Sequence, residues 1–196
     1  AAILTRPAAA LEIAPRLGGF WRFVALLGSH LPRRPLDAGY DAIAHAVETW
    51  VTTRRTPFSE TFSRRAWDLL TGAFERVMTH PSDRDARAAM LVGSHFAGIA
   101  IEQSMLGAAH ACSNPLTARY DLAHGLALSI LLPHVVRWNA DVVSDRYATL
   151  VGSADAGTAS EQLARTLEGF GRAGGLGGRL QDHGVASAYA PPPKPV

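Results

Sequence analysis

The amino-acid sequence predicts an all-α domain, a bundle of at least five helices. Three observations lead there. Apolar residues recur at three- and four-residue spacing through most of the chain, no segment alternates apolar and polar residues as a half-buried strand would, and Pro and Gly punctuate the helical stretches. With 196 residues, 47% of them hydrophobic and 18% charged, the chain can bury one core and lacks the composition of a disordered one.

In order, residues 1–30 give no readable pattern and form an uncertain N-terminal segment. Asp41 to Val51 reads as an amphipathic helix with Ala42, Ala46, Val47 and Trp50 near one stripe. Pro57 breaks the chain. A second helix then carries Phe62, Ala66, Trp67, Leu69, Leu70, Phe74 and Val77, and Trp50, Trp67 and Phe74 read as core. Pro81 ends that helix, and Ser82 or Asp83 can cap the next. A long helix is expected from Arg84 to about Ala111, where Gly93, Gly98 and Gly107 lower helix propensity but permit close packing. Asn114-Pro115 is expected to end it, since the residue before proline is pushed out of the helical region. Leu126 to Val136 reads as a buried helix, and Ser144 to Val151 and Ser160 to Gly169 as two more. The helical domain is drawn as 31–185, and 186–196 as a proline-rich tail.

Composition narrows the function classes. Net charge is +2, and the basic residues are scattered or paired rather than gathered on a face, so nucleic-acid binding is not expected. The longest apolar run, Leu126 to Val136, is too short for a bilayer, which needs about 20 residues; no membrane partner is expected. The single cysteine, Cys112, excludes an internal disulfide and a Cys-rich metal site, and points to a reducing, cytoplasmic setting. Cys112 itself reads as a small buried residue. The first residue is Ala1 rather than Met, so the start reads as processed, trimmed or incomplete.

Two pairs of residues suggest a metal site. Asp41 and His45 stand four residues apart on a helix, facing the same way and about 6 Å apart along the axis, so both can grip one ion. Alone, the pair reads more simply as a surface Asp–His contact. On one unbroken helix His110 and His124 would be about 21 Å apart and could not share a metal. A helix ending near His110, the Asn114-Pro115 break and a helix starting at His124 can bring both rings to one point, although either His alone reads more simply as a core or cap residue. One Asp and three His suit Fe(II) or Zn(II), and four protein ligands on Fe(II) leave open positions for a substrate oxygen. His95 is excluded as a further ligand by its distance from His110 along the expected helix, and His134 is assigned to packing or a polar contact inside the fold.

The motifs around these residues are more specific. Ala97-Gly98-Ile99-Ala100-Ile101, Ser104-Met105-Leu106-Gly107-Ala108-Ala109-His110-Ala111, His124-Gly125, Leu132-Pro133-His134-Val135 and Asn139 resemble one signature of the iron-containing alcohol dehydrogenases. Asp41-Ala42-Ile43-Ala44-His45-Ala46-Val47-Glu48 resembles the family's other signature. The resemblance runs from about Leu31 to Val185. It implies the C-terminal helical domain of dehydroquinate synthase-like and iron-containing alcohol dehydrogenases. It also implies one divalent metal, Fe(II) or alternatively Zn(II), on Asp41, His45, His110 and His124. The implied activity is hydride exchange between an alcohol and an aldehyde or ketone, with NAD or NADP in the full-length family. The family's dimers imply a homo-oligomer.

Three departures qualify the resemblance. Asn114 stands where many members carry another His. It can hydrogen-bond near the open coordination position but does not titrate near neutral pH, so its expected part is a secondary one. No Gly-Gly-Gly-Ser phosphate-binding stretch precedes Asp41, so the nucleotide-binding domain is expected to be missing from this chain. The proline tail replaces the family's last helices. The alternative reading is therefore a non-catalytic, metal-binding helical remnant. Gly169-Phe170-Gly171-Arg172-Ala173-Gly174 spells a dinucleotide-binding pattern, but it follows a helical stretch rather than a strand and reads as a glycine-rich helix end.

Overall fold

A computed structural model of the chain describes residues 34–185, so readings for the first 30 residues and the proline tail lie outside the described part. Among the described residues seven α-helices follow one another: α1 (Arg34–Val51), α2 (Pro57–Thr79), α3 (Arg84–Glu102), α4 (Ala108–Tyr120), α5 (His124–Trp138), α6 (Ala140–Val151) and α7 (Ala156–Ala173). A short 3-10 turn, Leu180–His183, comes last. No strand occurs among the described residues, as the apolar periodicity predicts. No single described helix is long and apolar enough to cross a membrane.

Helix α1 is the axle of the bundle. It packs against α2, α3 and α5, while α5 in turn packs on α4 and α7. Its inner face buries Tyr40, Ile43, Ala44 and Val47 completely or nearly so. These side chains meet Leu70 and Phe74 of α2, Leu128, Leu132 and Val136 of α5, and Leu163 and Leu167 of α7 in one continuous core. Burying a Leu or Ile side chain contributes about 1.5–3 kcal/mol, so this shared cluster rather than helix propensity holds the elements together.

Local sequence accounts for most boundaries. Thr56 caps α2 by accepting from the Ser59 N–H, the Ser59 hydroxyl accepts from the Thr56 N–H in return, and Pro57 fits the first turn, where its missing N–H has no helical partner to lose. Asp83 caps α3 through the Ala86 N–H at 2.9 Å. Asp155 caps α7 through the Gly157 N–H at 2.8 Å. Trp67 and Phe74 are core residues as expected. Trp50 is half-buried: its Nε1–H donates to the Arg146 carbonyl at 2.8 Å, and the Arg146 guanidinium stacks on its ring at 4.5 Å. Gly93 permits close packing, since a Cβ there would lie 2.8 Å from Leu70 Cγ, whereas Gly98 faces open space.

The expected long helix over 84–111 is two helices. α3 stops at Glu102, and the Ser104 hydroxyl donates back to the Ala100 carbonyl at 2.6 Å as the chain turns away. Asn114-Pro115 does not end a helix either, because Pro115 lies inside α4. A helical proline frees the carbonyl four residues before it, here Ala111. Ala111 and Pro115 are both exposed, so water can satisfy that group. α6 begins at Ala140 rather than Ser144, with a kink at Val143 (φ −132°, ψ 18°) that hides its first turn from a periodic pattern.

Candidate metal centre

Four residues of α1 lie at helical spacing on one face: Asp37, Asp41, His45 and Glu48. Helices α4 and α5 present their N-terminal turns to that face. His110 is the third residue of α4 and His124 the first of α5. His110 therefore opens a helix instead of closing one. The turn that brings it to α1 is the Gln103–Gly107 link, not Asn114-Pro115.

One carboxylate oxygen of Asp41 faces the other three candidate ligands. Asp41 Oδ1 lies 3.2 Å from Nε2 of His45, 3.2 Å from Nε2 of His110 and 3.8 Å from Nε2 of His124. Donor atoms of Asp41, His110 and His124 all fall within 4.8 Å of one another. His45 is held to the same oxygen, with its ring stacked on that of His110 at 4.6 Å between centroids. The cluster is closed on one side and open on the other. The His110 side chain is 5% exposed, while Asp41 is 25% and His124 31% exposed.

The electrostatics follow from this crowding. Burial is the largest influence on His110 and disfavours its charged form, but hydrogen bonds to Asp41 and Glu48 outweigh it and hold the imidazole up at about 9. At His45 burial outweighs the attraction of Asp41 and the weaker one of Glu48, and pulls the imidazole down to about 4. Burial alone would raise Asp41, yet the hydrogen bond from His110 and three surrounding imidazoles keep it below its ordinary value. The result is an anion ringed by three imidazoles, a donor set that suits Fe(II) or Zn(II) once His110 gives up its Nε2 proton to the ion.

Sequence reasoning assigned no role to Glu48. It is 3% exposed and accepts from the Ala109 N–H at 2.7 Å and from His110 Nδ1–H at 2.5 Å. Asp37 was missed as well; its Oδ1 accepts from the Leu126 N–H at 2.8 Å. The available signal was spacing, an acidic residue three positions after His45 and another four before Asp41. Asn114 is exposed one turn beyond His110, and among the described residues no hydrogen bond links it to the four candidate ligands. Cys112, expected to be buried, is exposed on the outer side of α4, and His134, expected inside the fold, is exposed on α5. Both corrections have one cause: each residue falls on the helix face turned away from the core. His95 sits on α3, a different helix from His110, so the distance along one helix does not separate them; it lies outside the donor cluster all the same. Gly169 and Gly171 lie within α7 and Gly174 caps its C-terminus, so this glycine pattern opens no helix.

Comparison with known proteins agrees with this architecture. Residues 36–189 match the model of the "Fe-containing alcohol dehydrogenase family, C-terminal". Lactaldehyde reductase of Escherichia coli (strain K12) is 34% identical over 116 residues, covering 59% of this chain and 30% of the relative. The NAD-dependent methanol dehydrogenase of Bacillus methanolicus is 28% identical over 162 residues, covering 79% of this chain and 40% of the relative. The crystal structure of a 1,3-propanediol oxidoreductase superposes with a TM-score of 0.71 at 29% identity, over 76% of this chain and 41% of that one. The chain thus spans less than half the length of these relatives. With a family match across nearly all the described residues and the helical fold that goes with it, the chain belongs to the iron-containing alcohol dehydrogenase family, of which it matches the C-terminal part.

Proposed function

We propose that Asp41, His45, His110 and His124 hold one divalent metal, Fe(II) or alternatively Zn(II), and that this helical domain supplies the metal half of an NAD(P)-dependent alcohol dehydrogenase site. The observation that carries the reading is the single Asp41 oxygen faced by three imidazole Nε2 atoms at 3.2, 3.2 and 3.8 Å. An ion beside that oxygen would be shared by Asp41, His110 and His124, whose donor atoms lie within 4.8 Å of one another, with His45, which meets the same oxygen, as the fourth ligand. Bound there, the metal would act as a Lewis acid on an alcohol or carbonyl oxygen.

The chain's own residues do the rest. Asp41 supplies the negative charge that a dication needs, and burial keeps His45 neutral and able to ligate. The exposed edge at Asp41 and His124 is where a small alcohol, aldehyde or ketone would enter. The relatives' names fit such substrates: lactaldehyde, methanol and 1,3-propanediol. Asn114, exposed and unconnected to the four ligands, is given no part. The nicotinamide cofactor, a homo-oligomer and a cytoplasmic location belong to the proposal for the full-length protein.

The test is metal content. The 196-residue chain loaded with Fe(II) or Zn(II) should bind about one ion per chain. His110→Ala should lose it and His95→Ala should keep it. Equal binding by both variants would remove the assignment.

A further inference from the structure

Among the described residues, the buried carboxylate of Glu48 has no ion-pair partner other than His110, and a buried acid survives only where hydrogen bonds compensate it. Its compensation comes from the start of α4. Gly107, the residue before that helix, offers no side chain to cap it. Glu48 caps it from α1 instead: Oε1 accepts from the Ala109 N–H at 2.7 Å, and Oε2 lies 3.4 Å from the His110 N–H. The helix N-terminus also favours the negative charge. Glycine at 107 leaves room for the carboxylate: a Cβ there would lie 2.7 Å from Oε1 and push it off the Ala109 N–H.

With Oε1 spent on the backbone, Oε2 is aimed at the ring of His110, 2.5 Å from Nδ1. A carboxylate only accepts, so the bond requires a proton on Nδ1. That leaves Nε2, the atom turned toward Asp41 Oδ1, as the nitrogen that gives up its proton to a metal. We propose that Glu48 is the positioning residue of the metal centre: it selects the Nδ1–H form of His110 and fixes the angle of the ring, so that Nε2 is ready to bind metal. Second-sphere carboxylates that act in this way on a ligating His typically contribute about 10- to 100-fold in metal affinity. The inference rests on the metal assignment above for its consequence but not for its geometry.

Glu48→Gln separates a positioning role from a merely structural one. The amide keeps the size and can still accept from Ala109 N–H through its oxygen. Its NH2 then faces His110 Nδ1 and favours the opposite form of the ring, with the proton on Nε2. Two readouts on the whole chain decide. Zn(II) affinity, measured by competition with a chromophoric chelator, should fall about 10- to 100-fold while helix content stays unchanged. The 15N shifts of His110 should show a protonated Nδ1 in the wild type, with and without Zn(II), and lose that signature in Glu48→Gln. Unchanged affinity together with an unchanged ring signature would overturn the proposal. Should Glu48→Gln fail to fold, the Zn(II)-loaded wild type decides alone: an Nδ1 proton shifted downfield and protected from solvent exchange, as a bond to a carboxylate makes it, supports the proposal, and a bare or freely exchanging Nδ1 overturns it. If the wild type binds no Zn(II), the metal assignment fails, but the ring signature still tests Glu48.

Discussion

The carboxylate of Asp37, in the first turn of α1, accepts from the backbone N–H of Leu126 at 2.8 Å across 89 residues of chain. Leu126 is the third residue of α5, the position an N-cap side chain normally serves, and Ala123 before that helix has no capping side chain. α1 therefore caps the helix that begins at His124 just as Glu48 caps the one that carries His110. Asp37→Ala should lower stability by about 1 kcal/mol, within the range for loss of a helix cap. The measurement is urea unfolding followed by circular dichroism. An unchanged midpoint would show that water replaces the carboxylate at no cost.

At Gly125 α5 packs directly on the backbone of α1. A Cβ there would lie 2.0 Å from the carbonyl oxygen of Asp37 and 2.6 Å from its carbon. Both are backbone atoms and cannot rotate aside. Gly125→Ala should destabilise the fold by about 3 kcal/mol, at the upper end for overpacking, despite the better helix propensity of Ala. A thermal midpoint equal to or above the wild type would contradict the contact.

Arg137 of α5 is clamped by Glu161 and Glu168 of α7, with three bonds of 2.7, 2.7 and 3.2 Å. The hydrogen bonds from Arg137 and then Arg165 hold the Glu161 carboxyl down at about 2, against an ordinary value of 4.5. The folded state thus binds this proton more weakly than the unfolded chain. Its contribution to stability is present above pH 4.5 and is lost as pH falls from there toward 2. Glu161→Gln should unfold with a shallower acid dependence below pH 4.5 than the wild type. Parallel acid limbs for the two proteins would exclude the clamp as a source of that dependence.

The chain by itself should bind metal without oxidising alcohols. Hydride transfer needs the nicotinamide held within about 3.5 Å of the substrate carbon, and diphosphates are normally gripped by a glycine-rich turn at a helix N-terminus. Among the described residues the glycine-rich stretch Gly169–Gly174 instead runs through the end of α7 and into its C-terminal cap. Assays of ethanol, glycerol and 1,2-propanediol with NAD and NADP on the Zn(II)- or Fe(II)-loaded chain should show no sustained NAD(P)H production. Metal-dependent turnover would mean that this chain holds the cofactor unaided.

Helix existence was legible in the sequence because its causes are local. Apolar spacing within 41–51 and 59–77, the Thr56-Pro57 start, Asp83 before α3 and the apolar run 126–136 each act within a turn or two of themselves. The motifs around Asp41, His45, His110 and His124 were legible too, since they are short and occur in a fixed order. What tertiary structure decided depends on groups distant in sequence. The chain leaves its helix at Glu102 rather than near His110 because a new helix starts where Glu48, 61 residues earlier, receives the Ala109 N–H. Pro115 stays helical where water can reach the carbonyl it frees, a matter of exposure that no local pattern records. Cys112 and His134 face outward for the same reason, since which side of α4 and α5 is inner depends on where α1 and α7 lie. Asp37 and Glu48 read as ordinary acids of an amphipathic helix until the fold sets two uncapped helix N-termini against them, and the desolvation of those backbone N–H groups is what gives the two carboxylates their place.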